Sequence, residues 1–368
     1  MKTLLLCPEL FAHEGGIQRI VRLYLKALCE SSGKNDSVDV VSLNDRELPA
    51  EKLAPYSNDR LGIHLGCAGN KAQFFWAAVH GSSGVDRLIC THLGQLIAAW
   101  LAHVFNPALD YYLVAHGIEV WRSYSVLERL ALRRTRRILC VSDFTRREMQ
   151  RQIDLPDWRF EVVPNALDPS FADEPPDAAP SAGSPVILAV ARLDSRERYK
   201  GVDHLIEALP AVRQTLPGTR LRVVGTGDDL LRLMALAEHQ GVADAVEFSG
   251  FLDDKGLREA YRTCTLFALP SYSEGFGIVF LEAMSRGKPC LGANAGAIPE
   301  IIDQASGVLA SYGNLAQITT QLVWALQHHW DSTAIKAHAA QFSYPAFRAR
   351  LERALAKTGH GSQPGHVS

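Results

Sequence analysis

Two long segments of the chain alternate short apolar runs with stretches of helical periodicity, and that alternation admits few folds. In the first segment Thr3–Cys7, VDVVSL (38–43), RLGIHLG (60–66), DRLICTH (86–92), DYYLVAHG (110–117) and Ile138–Val141 read as strands. Helical stretches at Ile17–Cys29, Lys71–His80 and Ile97–Val104 separate them. A strand that returns through a helix re-enters its sheet in the same direction, so the expectation is a parallel sheet. The pattern stops at ADEPPDAAPSAGSP (172–185), which has no periodic apolar positions and reads as a linker, then resumes with strand Val186–Val190. At 368 residues the chain is too long for one compact core. We therefore expect an α/β protein of two parallel-sheet domains, 1–171 and 172–344. An amphipathic segment (345–357) and a disordered tail (358–368) follow.

Composition narrows the class. A 47% hydrophobic, 21% charged chain is a globular protein, and a formal charge of −2 argues against a dedicated nucleic-acid binder. Seven cysteines at 7, 29, 67, 90, 140, 264 and 290 form no CxxC pair, so they read as reduced, mostly buried thiols of a cytoplasmic protein. MKTLLLCPEL meets a proline and an acid too early for a secretory core and reads as a first buried strand. No apolar stretch approaches the roughly 20 residues of a spanning helix. A membrane substrate would be met from the surface, at the inner face of the cell membrane.

The densest functional pattern is SEGFGIVFLEAMSRGKP (Ser273–Pro289), which sets Glu274 and Glu282 eight positions apart. Gly275 and Gly277 interrupt regular structure, while Ile278, Leu281 and Met284 recur at helical spacing, so a helix begins near Gly277. A helix N-terminus offers unpaired N–H groups and a positive dipole end to phosphate, and glycines let a ligand approach the backbone. Glu282, one turn in, would reach a neighbouring hydroxyl pair. An acid, an amide nest and a second acid suit a sugar–diphosphate–ribose ligand better than a lone phosphate. The plainer alternative is a helix cap followed by a solvated surface acid.

Other candidates fall at strand ends, where open α/β sheets bind ligands. Gly15-Gly16 follow the first strand, and His116 closes the strand DYYLVAHG, with His13 and His92 as weaker candidates. Arg192 follows strand Val186–Val190, and Lys200 precedes the next helix. Two cations there would neutralise a leaving diphosphate. Gly225 and Gly227 form a GTG turn that lacks the third glycine of a dinucleotide fingerprint. Between 122 and 151 lie nine Arg against three acids, a surplus of six. That segment is either an ordinary solvated helix face or an amphipathic one directed at anionic lipid or a phosphorylated acceptor.

In order and spacing, the GG pair, HGIEVW, the RL…KG frame and the E-x7-E stretch resemble the retaining glycosyltransferases of family 4. The resemblance covers nearly the whole chain. It implies the GT-B fold, two Rossmann-like, doubly wound parallel-sheet domains with a cleft between them, the N-terminal one for the acceptor and the C-terminal one for the donor nucleotide, and a last helix that crosses back onto the first domain. It implies His116, Glu274, Arg192 and Lys200 as catalytic residues. Gly15, Gly16, Gly225, Gly227, Phe251, Leu252, Gly275, Phe276, Gly277, Ile278 and Glu282 would surround the donor. It further implies transfer of a hexose from GDP-mannose, or next from a UDP-sugar, to a glycan or lipid-linked acceptor, with no cofactor and no metal. The rivals on the same architecture are a hydrolysing sugar-nucleotide epimerase and a non-catalytic sugar-nucleotide-binding subunit.

Overall fold

The computed structural model describes residues 1–13, 15–171 and 183–356. Most of the linker read at 172–185, the last position of the segment 345–357 and the whole tail read at 358–368 lie outside the described residues. One parallel sheet holds β1 (Lys2–Cys7), β2 (Ser37–Ser42), β3 (Leu61–Gly66), β4 (Arg87–Cys90), β5 (Asp110–Ala115), β6 (Arg137–Cys140) and β7 (Phe160–Val162), in the order β3-β2-β1-β4-β5-β6-β7. A second, also parallel, holds β8 (Val186–Val190), β9 (Arg220–Val224), β10 (Val246–Gly250), β11 (Leu266–Leu269), β12 (Cys290–Ala293) and β13 (Gly307–Ala310), in the order β10-β9-β8-β11-β12-β13. Strands such as Leu4–Leu6 and Leu266–Leu269 are buried along their length, as parallel strands covered by helices on both faces must be.

The covering helices of the first sheet are α1 (Gly16–Glu30), the short α2 (Ala50–Leu53), α3 (Lys71–Gly81), α4 (Leu96–Phe105), α5 (Val126–Arg134) and α6 (Asp143–Gln152). Their starts are written in the sequence. Asn70 and Ser142 cap α3 and α6, and Ser125 forms a capping box with Glu128 at α5, each cap contributing about 1 kcal/mol. The second sheet carries α7 (Val202–Thr215), α8 (Leu230–His239), α9 (Asp254–Thr263), α10 (Ile278–Ser285), α11 (Leu315–Gln327) and α12 (Ser332–Ala340). The last helix, α13 (Tyr344–Leu355), packs on α1 of the first half. Phe347 meets Tyr24 edge-on at 5.0 Å, both fully buried, and Glu30 accepts from Tyr344 Oη at 2.8 Å and Arg348 Nη1 at 2.9 Å.

Pro299 stands in a single 3-10 turn, Ile298–Glu300, and α12 and β13 have no counterpart in the sequence reading. All seven cysteines are free and buried, and burial pushes the Cys29 thiol up to about 11 and the Cys264 thiol up to about 12. Among the described residues no helix is long and apolar enough to cross a membrane.

In each sheet the order reverses beside the first strand, between β1 and β4 and between β8 and β11. Loops leaving the carboxyl ends on either side of such a point diverge and leave a crevice. Gly15-Gly16 follow β1, His116 follows β5, Arg192 follows β8 and Glu274 follows β11.

Candidate functional site

The loop from β11 to α10 is fixed by its neighbours before any ligand is considered. Tyr272 N–H donates to Tyr199 O at 2.8 Å, tying the loop to the 3-10 turn Ser195–Lys200. Glu274 O accepts from Ala297 N–H at 3.0 Å, and a β-carbon on Gly296 (φ +60°) would stand 2.8 Å from that same oxygen. Gly277 then caps α10 at φ +92°, a left-handed conformation that favours glycine. The backbone of Glu274 is thereby fixed, and its side chain reaches Lys200.

Lys200 Nζ lies 2.6 Å from Glu274 Oε1, with the two side chains only 19% and 13% exposed. Burial, the largest single influence, pulls the Lys200 ammonium down, but Glu274 together with Tyr199 and Glu197 outweighs it and the net shift is upward, so Lys200 stays charged. An ammonium has three donors, and one suffices for Glu274. Arg192 stands apart from this pair: its guanidinium bonds Glu197 at 3.1 Å and is 66% exposed. Gly225 and Gly227 support the Arg192 loop, since β-carbons there would fall 1.8 Å from Ala191 O and 1.9 Å from Leu193 O. Their immediate neighbour is protein backbone.

The first half of the chain meets this loop directly. A β-carbon on Gly275 would lie 1.9 Å from His116 O, and one on Gly117 would lie 3.0 Å from Gly275 Cα. Ser142 Oγ donates to Gly275 O at 2.8 Å. Glu300 accepts from the N–H groups of Asp143 and Phe144 at the start of α6, at 2.8 and 2.6 Å. Gly16 faces Ile278, and a β-carbon on Gly16 would lie 3.3 Å from Ile278 Cγ2.

His116 is buried at the end of β5. Its Nε2 lies 2.9 Å from Thr91 O, and a carbonyl only accepts, so Nε2 carries the proton and Nδ1 presents a lone pair. Among the described residues Nδ1 has no hydrogen-bond partner. Burial lowers its pKa from 6.5, aided by His92 and opposed by Glu119, so the ring is neutral near pH 7. His13 pairs with Glu9 at 2.8 Å, and His92 Nδ1 accepts from Gly94 N–H at 2.9 Å.

Glu282 is 3% exposed and is engaged from both halves of the chain. Arg19 Nη1 of α1 bonds Oε1 at 2.9 Å, and Tyr261 Oη of α9 donates to Oε2 at 2.8 Å. Burial drives the Glu282 carboxyl upward, with Arg19 and Tyr261 opposing, and the net direction is up. Phe276 turns into the core against Phe342, leaving only its backbone to a ligand. Phe251 is exposed in the loop after β10, and Leu252 is half-buried against the core. Sequence reasoning missed Arg19 altogether, although it stands three positions after Gly16.

The arginine surplus largely dissolves into local pairs. Arg122 bonds Glu128, Arg146 and Arg147 share Asp143, Arg151 meets Glu148, and Arg136 and Arg137 reach Asp110 and Glu161 on neighbouring strands. Arg129 donates to Tyr124 O and Gln152 O. Arg133 and Arg134 are exposed and have no carboxylate partner among the described residues. Beside them α4 and α5 expose Val104, Phe105, Val126, Leu127 and Leu130. A hollow of about 400 Å³ lies there, lined by Trp100, His103, Val104, Pro107, Leu130 and Arg134, well away from Glu274.

The models of two families match adjoining parts of the chain: Glycosyltransferase Family 4 over residues 14–171 and Glycosyl transferases group 1 over 171–341. The chain belongs to the group 1 glycosyltransferases of family 4. It is 32% identical over 224 residues to the GDP-mannose-dependent alpha-(1-6)-phosphatidylinositol monomannoside mannosyltransferase of Mycolicibacterium smegmatis, covering 56% of this chain and 58% of the relative. To the D-inositol 3-phosphate glycosyltransferase of Segniliparus rotundus it is 35% identical over 200 residues, covering 51% of this chain and 44% of the relative. The chain thus spans about half the length of the curated relatives it matches. The Anabaena protein HepE, solved with UDP and glucose, superposes at a TM-score of 0.75 with 20% identity, over 96% of this chain and 99% of its own. Two parallel-sheet domains in this arrangement are the GT-B fold.

Proposed function

We propose that this group 1 glycosyltransferase moves a hexosyl group from a nucleoside-diphosphate sugar to a glycan or lipid-linked acceptor, with retention at the anomeric carbon and without a metal. The observation that carries the reading is one loop with three chemistries around it. Gly275 lies against the His116–Gly117 backbone of the opposite domain, Glu274 is paired with a charged Lys200, and the N-terminus of α10 follows at once. Lys200, Arg192 and the α10 amides stabilise the diphosphate as the anomeric C–O bond breaks. The acceptor oxygen bonds to the same face of that carbon, and its proton passes to the departing phosphate oxygen. Glu274 and the Nδ1 lone pair of His116 accept from hydroxyls of the sugar and orient it. Glu282 accepts from the ribose.

The mannosyl relative favours GDP-mannose as donor, and the UDP-bound HepE neighbour puts UDP-sugars next. Exposed Arg133 and Arg134 beside the apolar tips of α4 and α5 favour an anionic membrane surface as the place where the acceptor is met. A thermal-shift panel of GDP, UDP, ADP and their sugars tests the donor, because a ligand that binds only the folded state raises its stability. The expected result is stabilisation by one base, and transfer only when an acceptor is added. Full turnover of the donor to free nucleoside diphosphate and an altered sugar, with no acceptor, would make the protein an epimerase.

A further inference from the structure

Among the described residues, Arg19 is the side chain that reaches from the first domain to the second acid of the E-x7-E stretch. Its two terminal nitrogens divide between Glu282 Oε1 at 2.9 Å and Asp254 Oδ1 at 2.7 Å. Its guanidinium also lies 5.0 Å from the centroid of the buried Phe171 ring, which Arg258 of α9 approaches at 5.8 Å. A carboxylate carries two lone-pair directions on each oxygen. Arg19 occupies one on Oε1 and Tyr261 one on Oε2, which leaves one on each oxygen for a pair of adjacent hydroxyls.

The two anchors differ in origin. Tyr261 shares a domain with Glu282, so its hydrogen bond persists however the domains move. Arg19 arrives only when the domains meet. A buried carboxylate without its cation is costly and drifts toward the neutral acid, which no longer offers four acceptor directions.

We infer that Arg19 is a positioning residue that couples closure of the two domains to recognition of the donor's ribose, by holding Glu282 ionised and oriented only in the closed arrangement. The inference rests on the donor reading above. Coupling is reciprocal: closure tightens nucleotide binding, and nucleotide favours closure.

Titration calorimetry with GDP and UDP on the intact protein tests it, using Arg19→Ala, Arg19→Lys, Glu282→Gln and the Arg19→Ala/Glu282→Gln pair. The groups facing Glu282 are Arg19 from α1 and Tyr261 and Asp254 from α9. Removing Arg19 deletes an influence that lowers the Glu282 pKa, so the carboxylate is lost first at acid pH and regained at alkaline pH. Arg19→Ala should weaken nucleotide binding by about 5- to 150-fold near pH 6, the usual span of coupled sites, and by clearly less near pH 8.5. Arg19→Lys keeps the charge without the fork, so its pH profile stays near that of the unaltered protein while affinity falls. On a Glu282→Gln background, Arg19→Ala should add nothing. Binding by Arg19→Ala equal to that of the unaltered protein would overturn the inference. So would a loss that is independent of pH and additive with Glu282→Gln, the mark of a purely structural role. If Arg19→Ala does not fold, the Arg19→Lys affinity and its pH profile decide. An unaltered protein that binds neither GDP nor UDP removes the donor reading itself, and this inference with it.

Discussion

The two glutamates of one loop and helix are both paired with a cation, Glu282 buried and Glu274 half-buried, yet the pairs are built differently. Glu274 takes Lys200 from its own domain, through a turn that the same sheet positions. Glu282 takes Arg19 from the other domain, across the cleft. A pair inside one domain is a fixed piece of chemistry, present whether the cleft is open or closed. A pair across domains exists in only one arrangement and can therefore report it. Under the proposed function, that difference would give Glu274 and Lys200 a constant charge at the sugar and diphosphate, and Glu282 a conditional recognition of the nucleotide.

The largest expected effect comes from breaking the internal pair. Glu274→Gln leaves Lys200 without its counter-charge and the sugar without an anionic acceptor, so kcat should fall by about 10²- to 10³-fold, read from transfer of labelled hexose. Next is Gly275→Ala, which tests whether the domains must touch at this loop. Its β-carbon would lie 1.9 Å from His116 O, so the cleft must part or the backbone shift, at a cost of about 1–3 kcal/mol by denaturant unfolding. If the account of Glu282 holds, nucleotide affinity falls in that variant too.

A smaller effect is the acid limb of stability. His116 is held neutral by burial, with its folded pKa below the ordinary 6.5, so the unfolded chain takes up the proton first. Stability from this group is full above 6.5 and is lost as pH falls through 6.5 toward the lowered folded value. His116→Gln should flatten that limb in pH-dependent melts. The smallest effect lies far from both acids. Arg133→Glu with Arg134→Glu should reduce sedimentation with anionic liposomes and leave nucleotide affinity unchanged.

Much of this was legible before the structure. Most strands of both sheets announce themselves as apolar runs because parallel strands are buried on both faces, and Glu274, Lys200, His116 and Glu282 lie at strand ends or a helix start that the pattern marks. What escaped has physical reasons. In α12 most positions are small, and Ile335 is its one large apolar residue, so no stripe appears; β13 is four residues long. Arg19 looked like any polar position on an amphipathic helix, because its partners Glu282 and Asp254 lie more than 230 positions away. The arginine surplus overstated the unpaired charge. Counting within a window cannot see Asp110 and Glu161, which neighbouring strands bring to Arg136 and Arg137.

The central claim is the division of labour between the two acids, and GDP and UDP, which carry ribose and diphosphate but no sugar, separate it. Titrating them into Glu274→Gln and Glu282→Gln should show affinity near that of the unaltered protein for the first and a loss of about tenfold or more for the second, each lost tenfold being about 1.4 kcal/mol. Equal losses in both variants, or a loss confined to Glu274→Gln, would contradict it.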